Sequence, residues 1–221
     1  MKTKYFEHQK LFEEIELSTV NEDGVRYYVT PEGEKYKSVT SVLSALSKDG
    51  IIAWRKRVGE EQAQKITTQA ATRGTKVHAL LEKYINNEKD FLVECLPTTI
   101  DLFNTVKPIV DERIQTVHGQ EFPLYSKYLK TAGRCDVFCT FDGVKTILDF
   151  KTASKLKREE WIESYFLQCT AYALMVQERY DIYVPQIAVL IAVENQQPQL
   201  FVKKASQYYD GVKKVFIDER V

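Results

Sequence analysis

Apolar and polar positions change their period about half-way along the chain. Val77, Leu80, Leu81, Tyr84 and Ile85 recur at spacings of three and four, the stripe of an amphipathic helix. They predict a helix over residues 60–87, with Gly74 as the position that should weaken or break it. Short helices are expected at 41–47 and at 51–59, the second closing on Gly59. A further helix is expected over 98–117, with a kink at Pro108. Ahead of them, aromatic and β-branched runs flank a Pro-Glu-Gly turn in "VRYYVTPEGEKYKSVT", the pattern of a small hairpin.

Beyond residue 120 the period becomes two. "EFPLYS", "YLKTAGRCDVFCTF" and "VKTILDFKTA" alternate as consecutive antiparallel strands. A long helix is expected over 157–180, with Trp161, Tyr165, Gln168, Tyr172 and Met175 at helical spacing. Two strands at 183–193 and 199–206 and a short helix around 208–217 end the chain. The order predicts a mixed α+β fold, helices first and then a sheet with a helix across it.

Composition narrows this picture. At 221 residues, with no internal repeat or low-complexity linker, one domain is expected, residues 1–72 elaborating a core at 73–221. Hydrophobic residues at 44% and charged residues at 28% exclude disordered and fibrous classes. Thirty-one basic residues balance 31 acidic ones, which excludes a protein held on nucleic acid or membrane by bulk charge but leaves room for a local basic groove. The longest apolar runs are too short to span a bilayer, and the first residues lack a signal-peptide core. An intracellular protein is expected, cytoplasmic in a bacterial or phage-infected cell. Cys95, Cys135, Cys139 and Cys169 include no Cys-x-x-Cys pair and read as small buried hydrophobes.

The informative stretch is "GRCDVFCTFDGVKTILDFKTASK". Asp142-Gly143 between two alternating runs signals a two-residue hairpin turn. Phe141 then faces Val144, and Asp136 lies opposite Asp149 on one face of the sheet. Like charges in such a pair repel and need a compensating partner. Lys151 stands two residues beyond Asp149 on the same face, while Cys135, Val137, Cys139, Phe141, Leu148 and Phe150 form the opposite, core face. Two carboxylates and a lysine suit a hard divalent cation with a positive charge beside it. An ordinary surface ion pair between Lys151 and an acid is the other reading of these residues.

Together, "GRCD" followed by "TILDFKT", "RGTKVHALLEKY" upstream and "QCTAY" downstream resemble the four motifs of the PD-(D/E)XK nuclease superfamily in its RecB-like exonuclease branch. The resemblance runs from Arg73 to Tyr172, in the family's order, and the layout is similar to phage RecB-like exonucleases and the mitochondrial genome maintenance exonuclease. Cys135 stands where many members have proline.

The resemblance implies a restriction-endonuclease-like core, a central mixed sheet flanked by helices with an N-terminal helical elaboration. It also implies metal-dependent hydrolysis of DNA phosphodiester bonds, on single strands or strand ends, in replication, recombination or repair. His78, Asp136, Asp149 and the Phe150 carbonyl are the implied ligands of one or two Mg²⁺ or Mn²⁺ ions, and Lys151 is the implied catalytic lysine. Gln168 and Tyr172 are implied to order the site and touch DNA or the attacking water. Glu82, one turn after His78, and Glu121 are candidates for supporting these groups, Glu82 also for a second ion. The cysteine pattern departs from that of iron–sulfur members, so no cluster is expected.

DNA contacts are expected from Arg55 and Arg57 in "WRKR" beside Trp54, an aromatic able to stack on bases, from Arg73 and Thr75, and from Lys155, Lys157 and Arg158. Expected partners are DNA and replication or recombination proteins, with no membrane. An endonuclease of the same fold and a non-catalytic nucleic-acid-binding subunit are the alternatives.

Overall fold

The computed structural model describes residues 3–218. Its strands are β1 (Glu7–His8), β2 (Ser18–Glu22), β3 (Val25–Val29), β4 (Lys35–Ser38), β5 (Ile114–Ser126), β6 (Thr131–Phe141), β7 (Val144–Ala153), β8 (Gln186–Val193) and β9 (Gln199–Lys204). Its α-helices are α1 (Val39–Leu46), α2 (Lys48–Val58), α3 (Glu60–Ile85), α4 (Pro97–Arg113), α5 (Glu163–Tyr180) and α6 (Tyr209–Lys213).

All nine strands join one mixed sheet in the order β2-β3-β4-β6-β7-β8-β9, with β5 along β6 and β1 on β5. The strand β6 is its pivot. One edge of β6 pairs with β5 from Thr131 to Phe141. The other edge forks: Thr131 and Ala132 pair in parallel with β4, and Val137–Phe141 pair antiparallel with β7. The strands β7 and β8 are parallel and joined through α5, a βαβ unit that lays the helix on the sheet.

Two packed layers cover the sheet. On one face Val77, Leu80, Leu81 and Tyr84 of α3 and Leu102, Phe103 and Val106 of α4 meet Val137, Cys139, Leu148 and Phe150. On the other, Phe166, Cys169, Tyr172 and Met175 of α5 meet Cys135, Phe138, Ile147 and Val189. The mixed α/β class expected from the sequence is therefore the observed one. Among the described residues no helix is long and apolar enough to cross a membrane.

The hairpin register is as expected. Asp142 and Gly143 turn with φ of +50° and +79°, and Phe141 pairs with Val144, since two left-handed residues match the twist of the strands they join. The N-terminal hairpin is larger than expected. Asp23-Gly24, at φ +50° and +77°, makes a second such turn and adds β2. The helix expected over 98–117 stops at Arg113, because Ile114 and Val117 are drawn into the core as the start of β5. The helix α4 runs through Pro108, and α3 runs through Gly74, where a Cβ would meet only Thr152 Oγ1 at 3.8 Å. The helix expected to begin at 157 begins at Glu163, preceded by a single 3₁₀ turn at Glu159–Trp161.

Candidate metal centre

The site forms where β6 and β7 part. Their ladder ends at Val137–Leu148, one step before the opposed Asp136 and Asp149. There the N–H of Phe150 donates to Asp136 Oδ2 at 2.9 Å instead. In an extended strand the N–H and C=O of one residue point the same way, so the Phe150 carbonyl also opens toward Asp136.

Strict alternation fails at this point. Cys135 and Phe138 both pack in the α5 core, while Val137 and Cys139 pack against α3 and α4. The sequence reading placed Cys135 with Val137 and Cys139; the structure places it on the other face, beside Cys169. The neighbouring strand is irregular at the same point while its register holds on either side: Glu121, across from Asp136, has a left-handed φ of +47°, and Gln120 donates from Nε2 to Glu82 O on α3 at 2.9 Å. A left-handed residue inside a strand re-aims its side chain without changing the register, and here Glu121 and Asp136 both turn toward His78 on α3.

Three donors meet as a result. His78 Nδ1 lies 3.4 Å from Asp136 Oδ2, and His78, Glu121 and Asp136 each offer a ligand atom within 4.8 Å of the others. Burial, then the charges of Asp136 and Glu82, push the Glu121 carboxyl up to about 7, with Arg134 opposing. A carboxyl held above its usual range beside two other acids is a place that a cation would relieve. The sequence reading gave Glu121 a supporting role; its left-handed backbone, invisible in a β-like pattern, brings it to the centre itself.

Asp149 belongs to a second, drier group. It is 2% exposed, and burial raises its carboxyl above the usual range against the pull of Lys151. Lys151 Nζ lies 2.5 Å from Asp149 Oδ2. Burial opposes the lysine's charge, but Asp149 and Asp136 outweigh it and hold the ammonium firmly protonated. Gln168 reaches down from α5, donating from Nε2 to Asp149 Oδ1 at 2.8 Å and accepting from Lys151 Nζ at 3.5 Å. Tyr165, one turn earlier, sets its ring 5.2 Å from the same Nζ; the sequence reading placed it at helical spacing and gave it no role.

Other sequence candidates are placed as follows. Tyr172 is 2% exposed and lies against Gly133, where a Cβ would stand 2.4 Å from its hydroxyl. It packs beneath β6 rather than facing the open side. Glu82 lies near enough to Glu121 to raise its carboxyl. Arg73 is tied to Glu194 at 2.9 Å and to Thr152 Oγ1 at 3.2 Å, and Arg55 to Glu60 at 2.7 Å. Both guanidiniums are thus engaged within the fold. Thr75, Arg57, Lys155 and Arg158 are exposed, and Trp54 and Lys157 half-buried. His8 and His118, for which the sequence suggested no role, bond to the carbonyls of Ile85 and Gln9.

No family model matches this chain, and no curated protein does. It is similar to the crystal structure of a protein from Eubacterium rectale described as "Putative exonuclease", at 12% identity and a TM-score of 0.39, over 69% of each chain. That similarity is too distant to bear on activity.

Proposed function

We propose that this protein is a metal-dependent nuclease that hydrolyses DNA phosphodiester bonds, acting as an exonuclease on single strands or strand ends. The observation that carries the reading is the fork of β6 and β7, which holds His78, Glu121 and Asp136 beside Asp149, Lys151 and Gln168.

The donor set fits a hard divalent ion. One imidazole nitrogen from His78, carboxylate oxygens from Asp136 and Glu121, and the Phe150 carbonyl are the kinds of ligand that Mg²⁺ or Mn²⁺ accepts, with Asp149 beside them held by Lys151 and Gln168, and no thiolate is among them. Such an ion supplies Lewis-acid stabilisation of phosphoryl oxygens and a lowered pKa for water.

The residues of the chain divide the remaining work. His78 and Asp136 hold each other in place, and the Phe150 N–H fixes the carboxylate. Lys151 keeps a proton in a half-buried position, where its charge stabilises a developing phosphoryl negative charge better than it would in water. Gln168 holds Asp149 and Lys151 at a fixed separation. Tyr172 supports β6 from below. Replication, recombination or repair of DNA is the setting such an activity suits.

Digestion of end-labelled linear single strands, linear duplexes and covalently closed circles with Mg²⁺ or Mn²⁺ tests this. Cleavage of linear molecules with circles left intact supports the exonuclease. Cut circles would make it an endonuclease, and no cleavage of any substrate would overturn the reading.

A further inference from the structure

The segment between β7 and α5 leaves the Lys151 strand at Ala153 and is anchored along its length. The N–H of Lys157 donates to Gln199 Oε1 at 2.7 Å, and Gln199 Nε2 donates back to Lys157 O at 2.9 Å. Lys203 Nζ donates to Glu159 Oε1 at 2.6 Å. Backbone bonds from Trp161 N to Arg158 O and from Ile162 N to Glu159 O close the 3₁₀ turn, and Ile162 is buried in the α5 core.

On this anchored turn Trp161 shows 64% of its surface to solvent and Leu156 shows 51%. The sequence reading placed Trp161 on the α5 stripe; the later helix start releases it outward. A large aromatic held out by so fixed a backbone contributes little to the fold's own core. Its indole carries the Arg158 guanidinium at 5.1 Å. One turn further on is Tyr165, whose ring touches the Lys151 side of the site. Between Asp149 and Glu159 the chain has Lys151, Lys155, Lys157 and Arg158 and no acid. Of the acids that follow, Glu159 is taken up by Lys203, Glu160 reaches Arg158 only at 3.8 Å, and Glu163 is exposed in the first turn of α5.

We propose that Trp161 is a stacking platform for an unpaired base of single-stranded DNA, with Lys155, Lys157 and Arg158 following the backbone toward Lys151. The proposal rests on the nuclease reading of the adjacent site. Aromatic stacking accepts any base, because every base has a π-face, while a duplex keeps its faces stacked inside. The platform therefore favours unpaired ends. Apart from Leu156, the exposed neighbours of Trp161 along the chain, Lys155, Arg158, Glu159, Glu160 and Glu163, are charged, unlike the apolar patch that a protein partner would cover.

The chain has two tryptophans, Trp54 and Trp161, so the emission of a Trp54→Phe variant reports Trp161 alone. In metal-free buffer a short single-stranded oligonucleotide should quench it saturably, and a blunt duplex should not. By anisotropy of the same labelled oligonucleotide, Trp161→Ala should bind about tenfold more weakly and Trp161→Phe within about twofold of the parent. Oligonucleotide binding with unchanged emission, or undiminished affinity in Trp161→Ala, overturns the platform and leaves the indole to a protein partner, with the nuclease reading untouched. Quenching without cleavage in the presence of Mg²⁺ keeps the platform and removes the nuclease.

Discussion

Gln168 donates from Nε2 to Asp149 Oδ1 at 2.8 Å, a bond from the helix on one face of the sheet to an acid that is 2% exposed. The other oxygen of that acid faces Lys151 Nζ at 2.5 Å. Gln168→Ala leaves Oδ1 without its donor and frees Lys151 from its second contact. The expected result is a fall in kcat of about 10–100-fold, with KM for DNA near the parent value, and a loss of about 1–3 kcal/mol of stability. Steady-state kinetics and thermal melting measure both. Parent-level kcat would show that Gln168 braces nothing.

Glu121 should make the ion-free protein sensitive to pH. Its carboxyl is held up at about 7 in the fold, above the ordinary value near 4.3 that it regains on unfolding. The native state therefore keeps a proton that the unfolded state releases first. Its contribution is full below about pH 4 and is lost as pH rises toward 7. Glu121→Gln should remove this part of the decline and stabilise the ion-free protein at pH 7–8 by about 1–2 kcal/mol, after allowance for solvent screening. Mg²⁺ or Mn²⁺ should raise the melting temperature of the parent more than that of the variant. Parallel stability–pH curves for the two proteins would refute this.

Gly133 is needed for contact rather than for backbone freedom. A Cβ there would meet Tyr172 Oη at 2.4 Å and Tyr172 Cε1 at 2.8 Å. Gly133→Ala should cost about 1–3 kcal/mol through overpacking and lower activity by shifting β6 under Asp136. Tyr172→Phe removes the closest atom, so the double variant should recover part of the loss, a coupling that a thermodynamic cycle measures. Additive losses would place the two residues apart.

The turn at Asp142-Gly143 and the register it sets were legible because two-residue hairpins demand a particular backbone. That register carries Asp149 and Lys151 to the Asp136 end of β6, but which way Asp136 faces depends on the backbone beside it. The irregular backbone at Glu121 and Asp136 is not legible, since nothing in an alternating pattern marks a left-handed glutamate. Cys135 was accordingly assigned to the wrong face, and Glu121 was held at a distance. Trp161 was misplaced for a related reason. Helical spacing continued past the point where Ile162, buried in the core, fixes the end of the turn, so an outward indole looked like part of the stripe. The strand start at Ile114 likewise depended on β6 being there to pair with it.

The measurement that bears most directly on the function is Mg²⁺-dependent cleavage of an end-labelled single-stranded oligonucleotide by the parent and by Lys151→Met, which keeps the stem and removes the charge. Circular dichroism and melting establish that both are folded. The expected result is processing by the parent that EDTA abolishes, and a loss of about 10³-fold or more in the variant. Mg²⁺-dependent cleavage retained by folded Lys151→Met would contradict the assignment of this site.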